Sequence, residues 1–176
     1  MFALTKTQNN NLLKAATLVG CVLFLVVCTK FRIYTQFSPV PITMQTFSIF
    51  ILGALLPFRQ SVTCFMVVLL ERFFGSPFIG MPIAFTGLTF GYLVGMVVAL
   101  YFLSKAIKKM PLMLALVVAD VLILAFGALH LQFVFGFKVA FMVGVVPFIV
   151  GGVLKILAAY GFIQATLKKR LDSTSV

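Results

Sequence analysis

Residues 111–129 read PLMLALVVADVLILAFGAL, an apolar run whose single ionisable side chain is Asp120. A helix needs about 20 such residues to cross the hydrocarbon core of a bilayer. Five further apolar runs, bounded by charged residues or by Pro and Gly, lie at residues 11–29, 42–57, 61–74, 85–104 and 148–167. The pattern therefore predicts an all-α integral membrane protein in which six transmembrane helices form one domain, residues 1–176.

The overall composition supports a membrane protein and disfavours other classes. The chain is 62% hydrophobic and 10% charged, whereas a soluble domain is about half apolar and about a quarter charged. The net charge of +11 comes from cations that punctuate the apolar runs, so we expect lipid rather than nucleic acid as a partner. The sequence has a single histidine and neither a nucleotide-binding GxxxxGK[ST] motif nor a GxSxG or HExxH motif. We therefore predict no metal, no cofactor and no enzymatic activity.

The distribution of lysine and arginine predicts the orientation in the membrane. Six spans place both termini on one side, and the side that carries more Lys and Arg is normally cytoplasmic. Lys6, Lys14, Arg59, Lys105, Lys108, Lys109, Lys168, Lys169 and Arg170 fall on the side of the termini, and Lys30, Arg32, Arg72 and Lys138 fall opposite. Both termini are therefore predicted to be cytoplasmic.

Several polar side chains inside the apolar runs share one predicted depth. They are Gln45, Glu71, Arg72, Tyr92, Asp120 and Lys155. Each lies 11 to 14 residues from the nearest inner-side cation, or roughly 17–21 Å at about 1.5 Å per helical residue. A charge facing lipid at mid-bilayer costs about 2.5–3.5 kcal/mol, so these groups should face inward. Two interpretations remain open, ion pairs that lock the helices or a binding pocket, and Gln45 and Tyr92 favour the pocket because neither needs a counter-charge.

Small residues recur at helical spacing in two of the runs. Such stripes let another backbone approach closely. In the fourth run they favour tight packing between helices, and in the first run they fit either internal packing or docking of another membrane protein. The residues are Gly87, Gly91 and Gly95 in the fourth run, and Ala15, Ala16 and Gly20 in the first.

Five stretches resemble the BioY family, the biotin-binding S components of energy-coupling-factor (ECF) vitamin transporters. Residues 39–46 (PVPITMQT) are similar to the family's PVPITLQT, and residues 53–56 (GALL) continue the match. Residues 75–78 (GSPF), 89–95 (TFGYLVG) and 147–155 (PFIVGGVLK) resemble its later motifs G-L-P-x-F, TGGYLLG and PFLPGDLLK.

The resemblance implies a function and a set of contacts. It implies a multi-pass subunit of the bacterial inner membrane that binds biotin and works with a transmembrane coupling protein and ATPase subunits. The first-run stripe of Ala15, Ala16 and Gly20 would dock on the coupling protein. The substrate-binding residues would be Thr43, Gln45, Thr89, Tyr92 and Lys155. The polar side chains at the shared predicted depth add Glu71, Arg72 and Asp120 to this set.

The chain also departs from the family pattern. Gly152 stands where the family has Asp, and residues 80–87 contain no arginine where the third loop usually carries one. We hypothesise that Glu71 or Asp120 replaces the carboxylate and that Arg72 replaces the cation and holds the carboxylate of biotin. Two other functions remain open: an S component for another small anionic vitamin, and a membrane scaffold that binds no solute.

Overall fold

The structure is a computed structural model that describes residues 11–73 and 87–172. The cation Lys6, residues 75–78 of the family resemblance and the side chain of Arg72 lie outside the described part. Within it the chain is mainly helical, as predicted. The elements are α1 (Asn11–Lys30), β1 (Arg32–Thr35), β2 (Ser38–Thr43), α2 (Gln45–Leu55), α3 (Phe58–Phe73), α4 (Phe90–Ala106), α5 (Leu112–Phe135), α6 (Phe137–Gly144) and α7 (Val146–Asp172).

The short helix α2 lies at the centre of the bundle. Helices α1, α4 and α7 pack around it, and α4 also packs along α5. Most of α2 is buried, including the large side chains of Ile49, Phe50 and Leu52. A helix that is apolar on every face belongs in such a position, because it meets neighbours in all directions.

A β-hairpin precedes α2 and was not among the predicted elements. Strands β1 and β2 pair antiparallel, with Arg32 opposite Thr43 and an irregularity between Ile33 and Thr35. Pro39 and Pro41 lie in β2, and proline disfavours helix at its own position and at the preceding one. The approach to the second predicted span is therefore extended, and residues 42 and 43, which were predicted to begin that span, belong to the strand rather than to the helix.

Residues 130–147, between the fifth and sixth predicted spans, were not among the predicted helices, but they are mainly helical. Helix α5 continues to Phe135, and α6 follows after Gly136. Gly136 has a φ of 77°, a conformation that glycine adopts without strain. Pro147 lies in the first turn of α7, where a missing N–H is tolerated. Neither residue therefore prevents helix on both sides.

Two glycines of α4 face the backbone of α5. A Cβ atom built on Gly95 would lie 2.9 Å from the Cα and 3.1 Å from the carbonyl oxygen of Ile123, and one on Gly91 would collide with the carbonyl oxygen of Phe126. The predicted close packing is therefore confirmed for these two positions. It fixes the height and rotation of α4 relative to α5.

The outer surface of the bundle is apolar. On α5 the exposed side chains include Leu114, Val117 and Val121, and α7 exposes Val150 and Leu154 in the same way. Two stretches of the described residues are long and apolar enough to cross a membrane: α5 (Leu112–Phe135), and Phe137–Lys169, which covers α6 and most of α7. An exposed apolar surface of this kind is unfavourable in water and suits contact with lipid chains.

The close contact between α4 and α5 predicts opposite effects for two glycine substitutions. Gly95→Ala places a methyl group against the Ile123 backbone, and overpacking of this kind typically costs about 1–3 kcal/mol. No atom of the described residues lies within 4 Å of a Cβ added to Gly161 of α7, so Gly161→Ala should be neutral or stabilising through its better helix propensity. Thermal unfolding of the detergent-purified protein measures both. Equal melting temperatures for the two variants would contradict the packing argument.

Candidate functional site

A cavity of about 70 Å³ lies between the hairpin and helices α2, α4, α5 and α7. A single water needs roughly 10–15 Å³ by this measure, so the cavity has room for several water-sized groups. Its walls combine apolar and polar side chains. The lining residues are Arg32, Val40, Pro41, Thr43, Gln45, Thr46, Thr89, Tyr92, Leu93, Met96, Asp120, Ile123, Leu124, Phe148, Gly152 and Lys155.

Most of the residues predicted from the sequence line this cavity. Those that do are Thr43, Gln45, Thr89, Tyr92, Asp120 and Lys155. Helix α3 contributes no side chain to the lining as described, and Glu71 lies in the last turn of α3. The side chain of Arg72 lies outside the described residues. The residues predicted to share one depth on α2, α4, α5 and α7 therefore line one cavity, whereas Glu71 of α3 is not part of the lining.

Gln45 presents an unsatisfied amide to the cavity. It is the first residue of α2 and is 3% exposed. Its Nε2 has no hydrogen-bond partner among the described residues. A buried polar group without a partner costs about 1–3 kcal/mol, so a bound solute with an acceptor oxygen would stabilise this position.

Asp120 and Lys155 bring opposite charges to the cavity from α5 and α7. Lys155 is 8% exposed, and Asp120 is half-buried on the side of α5 that faces the bundle. The two groups interact electrostatically. Each stabilises the charge of the other in surroundings where an isolated ion would be unfavourable. A solute placed beside them would meet both an acceptor and a charged donor.

Contacts of its hydroxyl and of its ring hold the side chain of Tyr92 in place. Its hydroxyl donates a hydrogen bond of 2.6 Å to the carbonyl oxygen of Gly144, which ties α4 to the end of α6. A Cβ on Gly127 of α5 would overlap the ring of Tyr92, so the missing side chain there makes room for it. The ring also lies 5.7 Å from that of Phe148, centre to centre. Tyr92 therefore forms a fixed aromatic wall of the cavity.

Arg32 is a cavity residue that the sequence reasoning assigned only to topology. Its Nε donates to the carbonyl oxygen of Thr29 at 3.0 Å, and its place opposite Thr43 in the hairpin brings it to the cavity. Its position in sequence, three residues after the end of the first apolar run, resembles that of an ordinary interfacial anchor. The hairpin that turns it inward has no strong sequence signal apart from Pro39 and Pro41.

The small-residue stripe of α1 faces outward. Ala15, Ala16 and Gly20 are all exposed, and a Cβ on Gly20 would meet no atom within 4 Å. Within residues 11–73 and 87–172 the stripe is therefore not an internal seam. It is a smooth strip of helix surface at the end of α1 far from the hairpin.

Comparisons with known proteins agree with this geometry. The sequence model of the BioY family matches residues 5–172 of this chain. The chain belongs to the BioY family. No curated protein sequence matches the chain significantly.

A solved structure shares the fold of this BioY family member. It is described as the crystal structure at 2.1 Å of the S-component for biotin from an ECF-type ABC transporter. The match has a TM-score of 0.74 and covers 90% of this chain and 94% of that chain, with 20% sequence identity. This likeness confirms the predicted helical membrane fold.

Proposed function

We propose that this chain is the biotin-binding S component of an ECF transporter. Its membership of the BioY family and its fold, which it shares with an S-component for biotin, support this function. The observation that carries it is one cavity lined both by Gln45, whose Nε2 has no hydrogen-bond partner among the described residues, and by the opposite charges of Asp120 and Lys155. Its role is to bind and carry a solute, and no chemical step is assigned to it.

The chemistry of biotin matches the lining of the cavity. The ureido ring has N–H donors and a carbonyl acceptor, which correspond to the carboxylate of Asp120 and to the donors on Lys155 and Gln45. The fused rings need an apolar trough, and Met96, Ile123, Leu124 and Phe148 provide one. We place the ureido ring beside Asp120 and Lys155 and the anionic tail toward the hairpin, where Arg32 supplies a cation.

The same proposal includes the membrane in which the chain lies, its orientation and its partner proteins. The protein is a multi-pass component of a bacterial cell membrane with both termini in the cytoplasm, as the distribution of Lys and Arg predicts. The cavity then opens toward the outer side, where solute is captured. A transmembrane coupling protein with its ATPase subunits docks on the exposed stripe of α1 and drives release to the inside.

Direct binding tests the proposed function. The purified chain in detergent should bind radiolabelled biotin, and excess unlabelled biotin should compete where other anionic vitamins do not. Lys155→Met should abolish high-affinity binding, because it removes a buried cation from the cavity. Lys168→Met on the same helix is the control, since Lys168 is exposed and distant from the cavity. Competition by another vitamin instead would identify a different solute, and binding of none would indicate a scaffold.

The position of Arg32 predicts which cation recognises the tail of biotin. Arg32 is half-buried, and a hydrogen bond to a charged group is worth about 1.5–3 kcal/mol. Arg32→Gln should therefore weaken biotin roughly 10- to 150-fold. A biotin amide should bind wild type weakly and lose little further affinity in Arg32→Gln, because both changes remove the same contact.

The same comparison decides between Arg32 and the earlier candidate Arg72. In Arg72→Gln the losses from the mutation and from the amide should add, if the two changes act on separate contacts. Additive losses in Arg32→Gln together with non-additive losses in Arg72→Gln would return the role to Arg72.

The exposed stripe of α1 predicts a separation of binding from transport. Ala16→Leu adds bulk where a partner helix needs close approach, and the site lies away from the cavity residues. Biotin binding by the purified chain should stay unchanged, while uptake by cells and co-purification with the coupling protein are lost. Ala165→Leu makes the same change at an exposed position on α7 and should leave uptake intact. Equal loss of uptake in both variants would argue against a docking surface on α1.

A further inference from the structure

Gly152 and Asp120 meet where α7 crosses α5. A Cβ built on Gly152 would lie 2.6 Å from Oδ2 of Asp120, 3.4 Å from its Cγ and 3.7 Å from its Oδ1. The three nearest atoms thus all belong to one carboxyl group. A side chain at position 152 would take the space that this carboxylate fills, so the carboxylate would have to move aside if residue 152 were not glycine.

The charged partner of the carboxylate stands on the same face of α7. Lys155 follows Gly152 by three residues, a spacing that places two positions side by side on a helix. Lys155 interacts electrostatically with Asp120, and both residues and Gly152 line the cavity. A carboxylate carried by residue 152 itself would therefore occupy nearly the same place relative to Lys155.

We infer that Asp120, admitted by Gly152 and balanced by Lys155, is the specificity-determining acceptor of the site and binds an N–H of the solute directly. The identity of the solute as biotin, and of the N–H as one from its ureido ring, rests on the proposed function. What the site requires is a carboxylate at one point in space, which either α5 or α7 can supply.

Moving the carboxylate between the two helices tests this inference. Biotin affinity is measured by titration calorimetry on the full chain in detergent. Asp120→Ala should weaken biotin roughly 30-fold or more, the effect of removing one buried charged partner. The double variant Asp120→Ala with Gly152→Asp restores the carboxylate from α7, and its affinity should return to within about tenfold of wild type. Gly152→Asp alone crowds two carboxylates together and should weaken binding.

A matched control places the new carboxylate one residue away. The nearest atom to a Cβ on Gly151 is Cγ2 of Ile42, at 3.5 Å, so that position points away from Asp120. Asp120→Ala with Gly151→Asp should therefore stay as weak as Asp120→Ala. Recovery in this control equal to that in the Gly152→Asp double variant would overturn the inference, because restored charge alone would then suffice.

Thermal unfolding without biotin shows whether the double variant folds. If it does not fold, a modified ligand still tests the inference. Biotin methylated on a ureido nitrogen should bind wild type at least 30-fold more weakly than biotin itself. In Asp120→Ala the difference between the two ligands should shrink to a few-fold, since mutation and methyl group remove one contact. An unchanged ratio would overturn the inference, as would full affinity of Asp120→Ala for biotin. Wild type that binds no biotin at all would instead overturn the proposed function.

Discussion

The fold depends on keeping two charges away from lipid. Asp120 lies near the middle of an apolar helix and Lys155 within another, and each would be strongly unfavourable if it faced hydrocarbon. Turning both inward fixes which faces of α5 and α7 meet. The same rotation exposes Leu114, Val121 and Leu154 on the outside, where they suit the bilayer. One electrostatic constraint therefore sets the orientation of two helices and creates the polar part of the cavity.

A second constraint, the close packing of α4 on α5, sets the shape of the remaining wall. Glycines at positions 91 and 95 bring the two backbones together, and Gly127 leaves space for the ring of Tyr92. The hydroxyl of Tyr92 then reaches Gly144 and secures α6. Because the protein interior is close-packed, these contacts hold the aromatic wall at one height. The polar groups of the cavity consequently face a rigid surface.

The sequence predicted the helices and most of the cavity for physical reasons that are local. Long apolar runs specify spans, and the spacing of Gln45, Tyr92, Asp120 and Lys155 from basic residues predicted a shared depth for four residues that do line one cavity. Depth carries no information on direction, which is why Glu71 was grouped with residues that line the cavity. Helix α6 was missed because residues 130–147 are apolar without a distinct period, and the hairpin was missed because only Pro39 and Pro41 signal it in the sequence. The contribution of Arg32 depends on that hairpin and was missed with it.

Glycine at position 152 leaves space on α7 for the carboxylate of a residue on α5. A helix position without a side chain is usually a weakness, because glycine lowers helix stability by about 1 kcal/mol relative to alanine. At Gly152 the space left empty is filled by the carboxylate of a neighbouring helix, beside a lysine that needs a counter-charge. The absence of a side chain at Gly152 on α7 therefore makes room for Asp120 of α5, and the carboxylate of Asp120 fills the space that the glycine leaves. Either feature alone would leave a buried charge unpaired or a carboxylate without room.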